Sequence, residues 1–439
     1  MKISLAFVLG ICLVVGGYIL ERDDFPLEDE GHMDETDNEE KRKKLPLPAM
    51  LNEGAYQGDM LLDDDQWEIV RALENNVQLG KRKAHSDLSR RWPNAEIPYY
   101  VDADVEDRYG TDIADAVTYY EQNTCLDFTK HTSVPSGGYI HVKSGTGCSS
   151  KVGYLNSKRT LTLKLGSCRS AIPHEFGHAI GFQHEHVRPD RDSYVSVRWN
   201  NILSGYSSAF TLDTYISTYD VPYDYKSCMH YEPTAFSVDT TNKATLVTTN
   251  PLDMVDMGIS DDPNFSDIKL INLMYSCNSS CTATTCNNGG YQDKTCNCVC
   301  PEGWTGSDCS TSVTLPDDCK NTITGGSGDI TSENYPSNYP KNHVCQWYIK
   351  GTSAGQTITV TFVDFVLEEP NSSGSCLYDD FVAIRKDDLF FGGDIYCGTS
   401  SPGTQTVTST SSIPEMLIYF EVDGNSDVQK GFKFTYSIS

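Results

Sequence analysis

An excess of positive charge is what this sequence lacks first. Lys and Arg total 34 against 61 Asp and Glu in 439 residues, a formal net charge of −27 at pH 7. The acid is spread along the whole chain, which excludes a basic surface for nucleic acid or for an anionic membrane. Long apolar runs are scarce too. The run at residues 3–17 falls short of the roughly 20 residues a helix needs to cross a bilayer, and no second run of adequate length follows. Collagen, coiled coil and wholesale disorder are excluded by 38% hydrophobic and 22% charged residues without a glycine or heptad period. A chain of this length is expected to fold as about two to four units.

The apolar run after Lys2 ends in the small residues Val15-Gly16-Gly17, so residues 1–17 read as a secretory signal and the chain as a secreted, extracellular protein with no membrane span after signal removal. Export implies an oxidising compartment, and the 16 cysteines fit it. Cys12 leaves with the signal. Cys125, Cys148, Cys168 and Cys277 are widely spaced, Cys281, Cys286, Cys296, Cys298, Cys300 and Cys309 are crowded, and Cys319, Cys345, Cys376 and Cys397 are again spread out, with Cys228 left over. Residues 18–83 form an acidic stretch with little apolar periodicity before Trp67, and they end in Lys81-Arg82-Lys83; they read as a propeptide with a dibasic processing site. Residues 84–277 then alternate strand-like runs (Ile97 to Val101, Tyr139 to Val142, Leu161 to Leu165) with a helical face at Ile113, Ala116, Val117 and Tyr120, a mixed α/β domain. Residues 278–310 are a small module stapled by cysteines, 311–318 a linker, and 319–439 a run of short alternating strands that predicts a β-sandwich.

The chemistry concentrates in one segment. His174-Glu175-Phe176-Gly177-His178 sets two imidazoles one helical turn apart, so both can hold one Zn²⁺. Gly181 can end the helix with positive φ and let His184 return as a third ligand. Three histidines leave one position for water. Glu175, beside them, can take the proton of that water and pass it to a leaving amine, which is hydrolysis without a covalent intermediate. Of 10 histidines, His174, His178, His184 and His186 fall within this one segment, a clustering that scattered surface imidazoles would not show. Ser227-Cys228-Met229-His230-Tyr231, after the turn-like Pro222-Tyr223-Asp224, supplies a methionine of the kind that lies beneath the metal in metzincins.

His174 to His184 followed by Glu185, then Arg188-Pro189-Asp190-Arg191-Asp192, and Ser227 to Tyr231, resemble the astacin family of secreted zinc endopeptidases, over about residues 84–277. The resemblance implies a multidomain protein with an α+β metzincin catalytic domain. It implies His174, His178 and His184 as ligands of one catalytic zinc, Glu175 as general base, Met229 as the turn methionine and Tyr231 as a further ligand that swings off to stabilise the oxyanion. It also pairs Cys125 with Cys277 and Cys148 with Cys168. Tyr56-Gln57-Gly58-Asp59 is similar to the family's propeptide motif, which makes Asp59 the carboxylate that blocks the zinc. Glu185 resembles the glutamate that meets the new N-terminus near Lys83 or Ala84 after processing. In many relatives an arginine before the last protease cysteine selects acidic residues next to the cut; residues 232–277 contain none, so that preference is not carried over. Cys228 reads as a buried small hydrophobe.

Residues 281–309, with Cys298-Val299-Cys300 and Gly303-Trp304-Thr305-Gly306, resemble an EGF-like module paired first to third, second to fourth and fifth to sixth. Residues 319–439, with Cys345-Gln346-Trp347, Tyr396-Cys397-Gly398 and Lys430-Gly431-Phe432, resemble a CUB domain, in which Glu368, Asp379 and Asp423 would be calcium ligands. Asn264, Asn278 and Asn371 lie in Asn-x-Ser sequons. The expected protein is a secreted zymogen of a zinc endopeptidase acting on extracellular or matrix proteins, with matrix or protein ligands held through the EGF-like and CUB modules. The alternative is a catalytically silent adhesion protein built from the same modules; intact Glu175 and Tyr231 argue against it.

Overall fold

The computed structural model of the chain describes residues 55–64, 66–67, 88–213, 216–313, 319–370, 375–376, 379–424 and 427–439. The expected signal, the Lys81 to Lys83 processing site, Ala84 and Asn371 lie outside the described residues.

The protease-like part is built on a six-stranded sheet of β1 (Met60–Leu61), β2 (Glu96–Val101), β3 (Asp127–Lys130), β4 (Tyr139–Ser144), β5 (Ser149–Lys151) and β6 (Lys158–Leu163), in the order β1-β5-β6-β4-β2-β3. Every pair is parallel except β5 with β6. In β2 and β6 alternate residues are buried, as a sheet with one covered face requires. In β6 the inward series is Arg159, Leu161 and Leu163, so a guanidinium occupies a position where an apolar side chain would be expected. The covering helix is α1 (Ala103–Asn123), whose buried side chains Val105, Tyr109, Ile113, Ala116, Val117 and Tyr120 recur at helical spacing. Behind it run α2 (Ile172–Ile180) and α3 (Phe265–Met274). Asn264 caps α3 with its side-chain oxygen and gives its amide hydrogens to Asp224, so this sequon asparagine is engaged at both ends.

Disulfides join Cys125 to Cys277 and Cys148 to Cys168, as the resemblance implied. Cys228 is free and buried, and burial pushes its thiol well above the ordinary range, as suits an inert packing group. The knot pairs Cys281 with Cys296, Cys286 with Cys298 and Cys300 with Cys309, again the implied order. It has little core of its own and rests on the protease-like part: the Tyr291 ring meets Phe265, and Lys269 donates to the Gly289 carbonyl at 2.8 Å.

The C-terminal part is the expected sandwich. One sheet holds five strands (Lys320–Thr324, His343–Lys350, Glu415–Val422, Phe381–Arg385, Asp394–Tyr396), the other four (Ser327–Thr331, Gly431–Ile438, Thr357–Val366, Thr404–Thr408). Trp347, Phe362, Phe420, Phe432 and Phe434 fill the space between them. Disulfides close Cys319–Cys345 and Cys376–Cys397. The sandwich touches the protease-like part through Lys320 with Asp256, Arg198 with Asp388, and Gln346 donating to the Leu252 carbonyl at 2.9 Å.

Candidate active site

Helix α2 positions the histidines. Pro173 sits in its first turn, where a missing N–H costs nothing. His174 and His178 follow one turn apart, their ring centroids 4.7 Å from each other. Gly181 closes the helix at φ 130°, a conformation closed to residues with a Cβ, and the chain then returns so that the His184 ring lies 4.8 Å from His178 and 5.3 Å from His174. A second loop holds the third histidine in place, because the Glu185 N–H donates to the Met229 carbonyl at 2.9 Å. Met229 is buried, its sulfur 2.9 Å from where a Cβ on Gly177 would lie, so the small residue inside the helix is what lets the methionine lie beneath the rings. Asp267 on α3 organises this loop, accepting from Ser227 Oγ at 2.6 Å and from the Cys228 N–H at 3.1 Å.

Each imidazole is fixed from behind. Nδ1 of His174 faces the Cys228 carbonyl at 2.7 Å, Nδ1 of His178 the Phe182 carbonyl at 2.9 Å, and Nδ1 of His184 the Gln57 side-chain oxygen at 2.9 Å. Oxygens of that kind only accept, so the proton of each neutral ring is on Nδ1 and the lone pair on Nε2. The three Nε2 atoms converge on the Asp59 carboxylate at 3.3, 3.6 and 3.1 Å for His174, His178 and His184. All four side chains are buried, and the facing atoms lie within 4.8 Å of one another.

With the ring protons on Nδ1, three lone pairs face one carboxylate, and His178 Nε2 and Asp59 Oδ1 have no hydrogen-bond partner. A buried group of this kind is stable only around a cation, and nitrogen with carboxylate oxygen is a donor set that suits zinc. Burial alone would raise the Asp59 carboxyl, but the facing His184, His174 and His178 rings hold it well below its ordinary value. Burial drives His184 down to about 4 and lowers His178, whereas the Asp59 contact outweighs burial at His174 and raises it. Glu175 is fully buried beside them with neither oxygen hydrogen-bonded, and burial followed by the Asp59 charge pushes its carboxyl well above the usual range.

Tyr231 stacks on His186 with ring centroids 3.8 Å apart, and its hydroxyl donates to the Gln57 carbonyl. Gln57 thus meets both Tyr231 and His184, a role that the motif around Asp59 did not announce. Glu185 accepts from Arg188 at 2.8 Å and from the Asp224 N–H at 3.0 Å, beside a small cavity lined also by Gly181, Thr218 and Met274. The segment carrying Asp59 lies on the sheet edge as β1, Met60 opposite Ser150, with the Ser150 N–H donating to the Asp59 carbonyl at 2.9 Å.

In the sandwich, the expected calcium group is gathered with one change. Among the described residues, Glu368 and Asp423 are grouped with Asp380, the neighbour of the expected Asp379. Asp379 and Asp380 lie directly before the strand Phe381–Arg385, with Asp380 the more buried of the two. Asp380 accepts from the Tyr339 hydroxyl at 2.6 Å and from the Asp423 N–H at 2.9 Å.

Three histidines with a buried carboxylate beside them and a methionine below, on this fold, mark the class of zinc metalloproteinases. Residues 84–276 match the peptidase family described as Astacin, and residues 319–436 match the CUB domain. Residues 84–276 thus carry an astacin-type peptidase domain, and zinc metalloproteases of that family use a catalytic zinc. The chain is 36% identical over 415 residues to Protein SpAN of Strongylocentrotus purpuratus, covering 90% of this chain and 65% of that protein. It is 37% identical over 398 residues to Blastula protease 10 of Paracentrotus lividus, covering 87% and 64%. The chain therefore spans less than two thirds of the length of these relatives. Among solved structures, High choriolytic enzyme 1, a hatching enzyme zinc-protease from Oryzias latipes, matches at 32% identity with a TM-score of 0.40, over 45% of this chain and 98% of that one.

Proposed function

We propose that the chain is the zymogen of a secreted zinc endopeptidase acting on extracellular or matrix proteins. His174, His178 and His184 hold the zinc, and Asp59 occupies the remaining position until residues 18–83 are removed. Zinc, when bound, supplies the Lewis acidity that acidifies water and polarises a carbonyl. Glu175, fully buried beside the histidines, takes the proton of the attacking water and delivers it to the leaving amine. Tyr231, kept protonated by burial, loses the Gln57 carbonyl when the propeptide leaves and can then donate to the oxyanion forming on the peptide carbonyl. The Asp59 side chain has 0% exposure, so the propeptide also keeps water and substrate from the site.

The observation that carries this reading is the convergence of three buried Nε2 atoms and a buried carboxylate within 4.8 Å of one another. The test is Glu175→Gln in the processed chain. We expect one zinc per chain retained and hydrolysis of casein or gelatin reduced by at least about a hundredfold; activity close to that of the parent would refute the role of Glu175. Residues 278–310 act as an EGF-like module and residues 319–439 as a CUB domain that place the protease on its extracellular partners. Glu368, Asp380 and Asp423 form a calcium site there, since three crowded carboxylates repel one another without a cation and burial with like charges raises Asp380. Calorimetric titration with Ca²⁺ should show one site that Asp380→Asn abolishes; no heat from the parent chain would exclude it.

A further inference from the structure

The buried guanidinium in β6 has a partner on the other side of the expected processing site. Asp63 belongs to the segment that processing removes, and its carboxylate is held by three cations of the body that remains. Arg159 Nη1 donates to Oδ2 at 2.6 Å, Arg90 Nη1 to Oδ2 at 3.0 Å, and Lys151 Nζ to Oδ1 at 2.7 Å. The Arg159 side chain is 1% exposed and that of Arg90 12%, so these charges are largely withdrawn from water. Burial would raise Asp63, yet Lys151, Arg159 and Arg90 hold it at about 2. Once the propeptide leaves, three converging cations lose a shared carboxylate, and another carboxylate in its place would meet the same three donors. The same departure frees the edge of β5, where Ser150 had donated to the Asp59 carbonyl, for another extended chain.

We propose that Arg90, Lys151 and Arg159 form a substrate subsite for an acidic side chain, over the C-terminal end of β5 and several residues away from the bond that is cut. Asp63 lies four positions along the chain from Asp59 and marks the spacing. This subsite is distinct from any pocket next to the cleaved bond, where residues 232–277 supply no arginine. Lys151 and Arg159 come from neighbouring strands, so the position of the charge is fixed by the sheet and not by a mobile loop. The propeptide uses the pocket as a second anchor besides Asp59, and a substrate inherits it.

The inference rests on the proposed peptidase, and its test has one arm that needs no catalysis. A peptide of residues 55–67 and its Asp63→Asn form are titrated against the processed, zinc-loaded Glu175→Gln chain, with and without Lys151→Met. We expect the Asp63→Asn peptide to bind at least about tenfold more weakly to the first protein, and the difference to shrink to less than about threefold with Lys151→Met. Lys151 is 25% exposed at its side chain, so its replacement is tolerated where loss of the buried Arg159 could unfold the domain. In the second arm a peptide library is digested with the processed parent chain. Asp or Glu should be enriched at one position about three to five residues from the cut, on one side only, and Lys151→Met should remove the enrichment. Equal binding of the two peptides, an undiminished difference with Lys151→Met, or cleavage without acidic enrichment would overturn the subsite. An absence of all cleavage alongside the expected binding difference would instead count against the peptidase reading and leave the pocket standing.

Discussion

An imidazole with its Nδ1–H given to an oxygen has one thing left to offer, and His174, His178 and His184 all offer it to the same point. Asp59 completes that point from outside the domain, which makes it the residue whose loss is most informative. Asp59→Ala should leave the uncut chain folded but open the fourth position, so that the unprocessed protein hydrolyses casein at least about tenfold faster than the parent zymogen. A melting curve checks the fold, and unchanged latency would remove Asp59 from the metal. The grouping of these histidines was legible because two residues one helical turn apart share a face and a glycine can turn the chain back toward them. Asp63 was not: in sequence it is one of three consecutive aspartates, and only the folded sheet shows that it faces the buried Arg159. The grouping of Asp380 with Glu368 and Asp423 was not legible, because two adjacent aspartates offer the same carboxylate in sequence and only the fold separates them. Asp267 carried no signal either, since a lone helical aspartate at the third position after an Asn cap is explained by the cap itself.

At the scale of elements, the site depends on how a nine-residue helix ends. Helix α2 places two ligands, and the left-handed turn at Gly181 decides where the third one goes. Gly181→Ala keeps the helix but strains a backbone at φ 130°, at a cost of about 1–3 kcal/mol, and displaces His184. The expected outcome is a lower melting temperature together with loss of stoichiometric zinc; a variant with the parent's zinc content would show that the chain can turn back without this conformation. The helical face of α1 and the alternation in β2 and β6 were readable for the usual reason, one face covered and one exposed. The short edge strand β5 was not, because three residues carry too little periodicity and its pairing with β1 joins segments about 90 positions apart.

The molecule as a whole is a body in which each part supplies what another lacks. The segment of residues 55–67 brings Asp59 to the three histidines and Asp63 to Arg90, Lys151 and Arg159. The disulfide knot borrows its packing from α3, and the sandwich is joined to the protease-like part by Lys320 with Asp256 and Arg198 with Asp388. Among the described residues no helix is long and apolar enough to cross a membrane. The order of the parts was legible from cysteine spacing and composition, but their docking was not, because single ion pairs across a domain boundary leave no pattern in a chain. The central claim is that one divalent ion sits among three histidines and exchanges a carboxylate for water when the propeptide is cut away. Zinc-edge X-ray absorption on the intact and processed chains tests it most directly. One zinc per chain with three imidazole donors in both samples, and a carboxylate giving way to a solvent oxygen after processing, is the predicted result. Zinc absent from folded protein, or still fully enclosed by protein donors once the propeptide is gone, would contradict it.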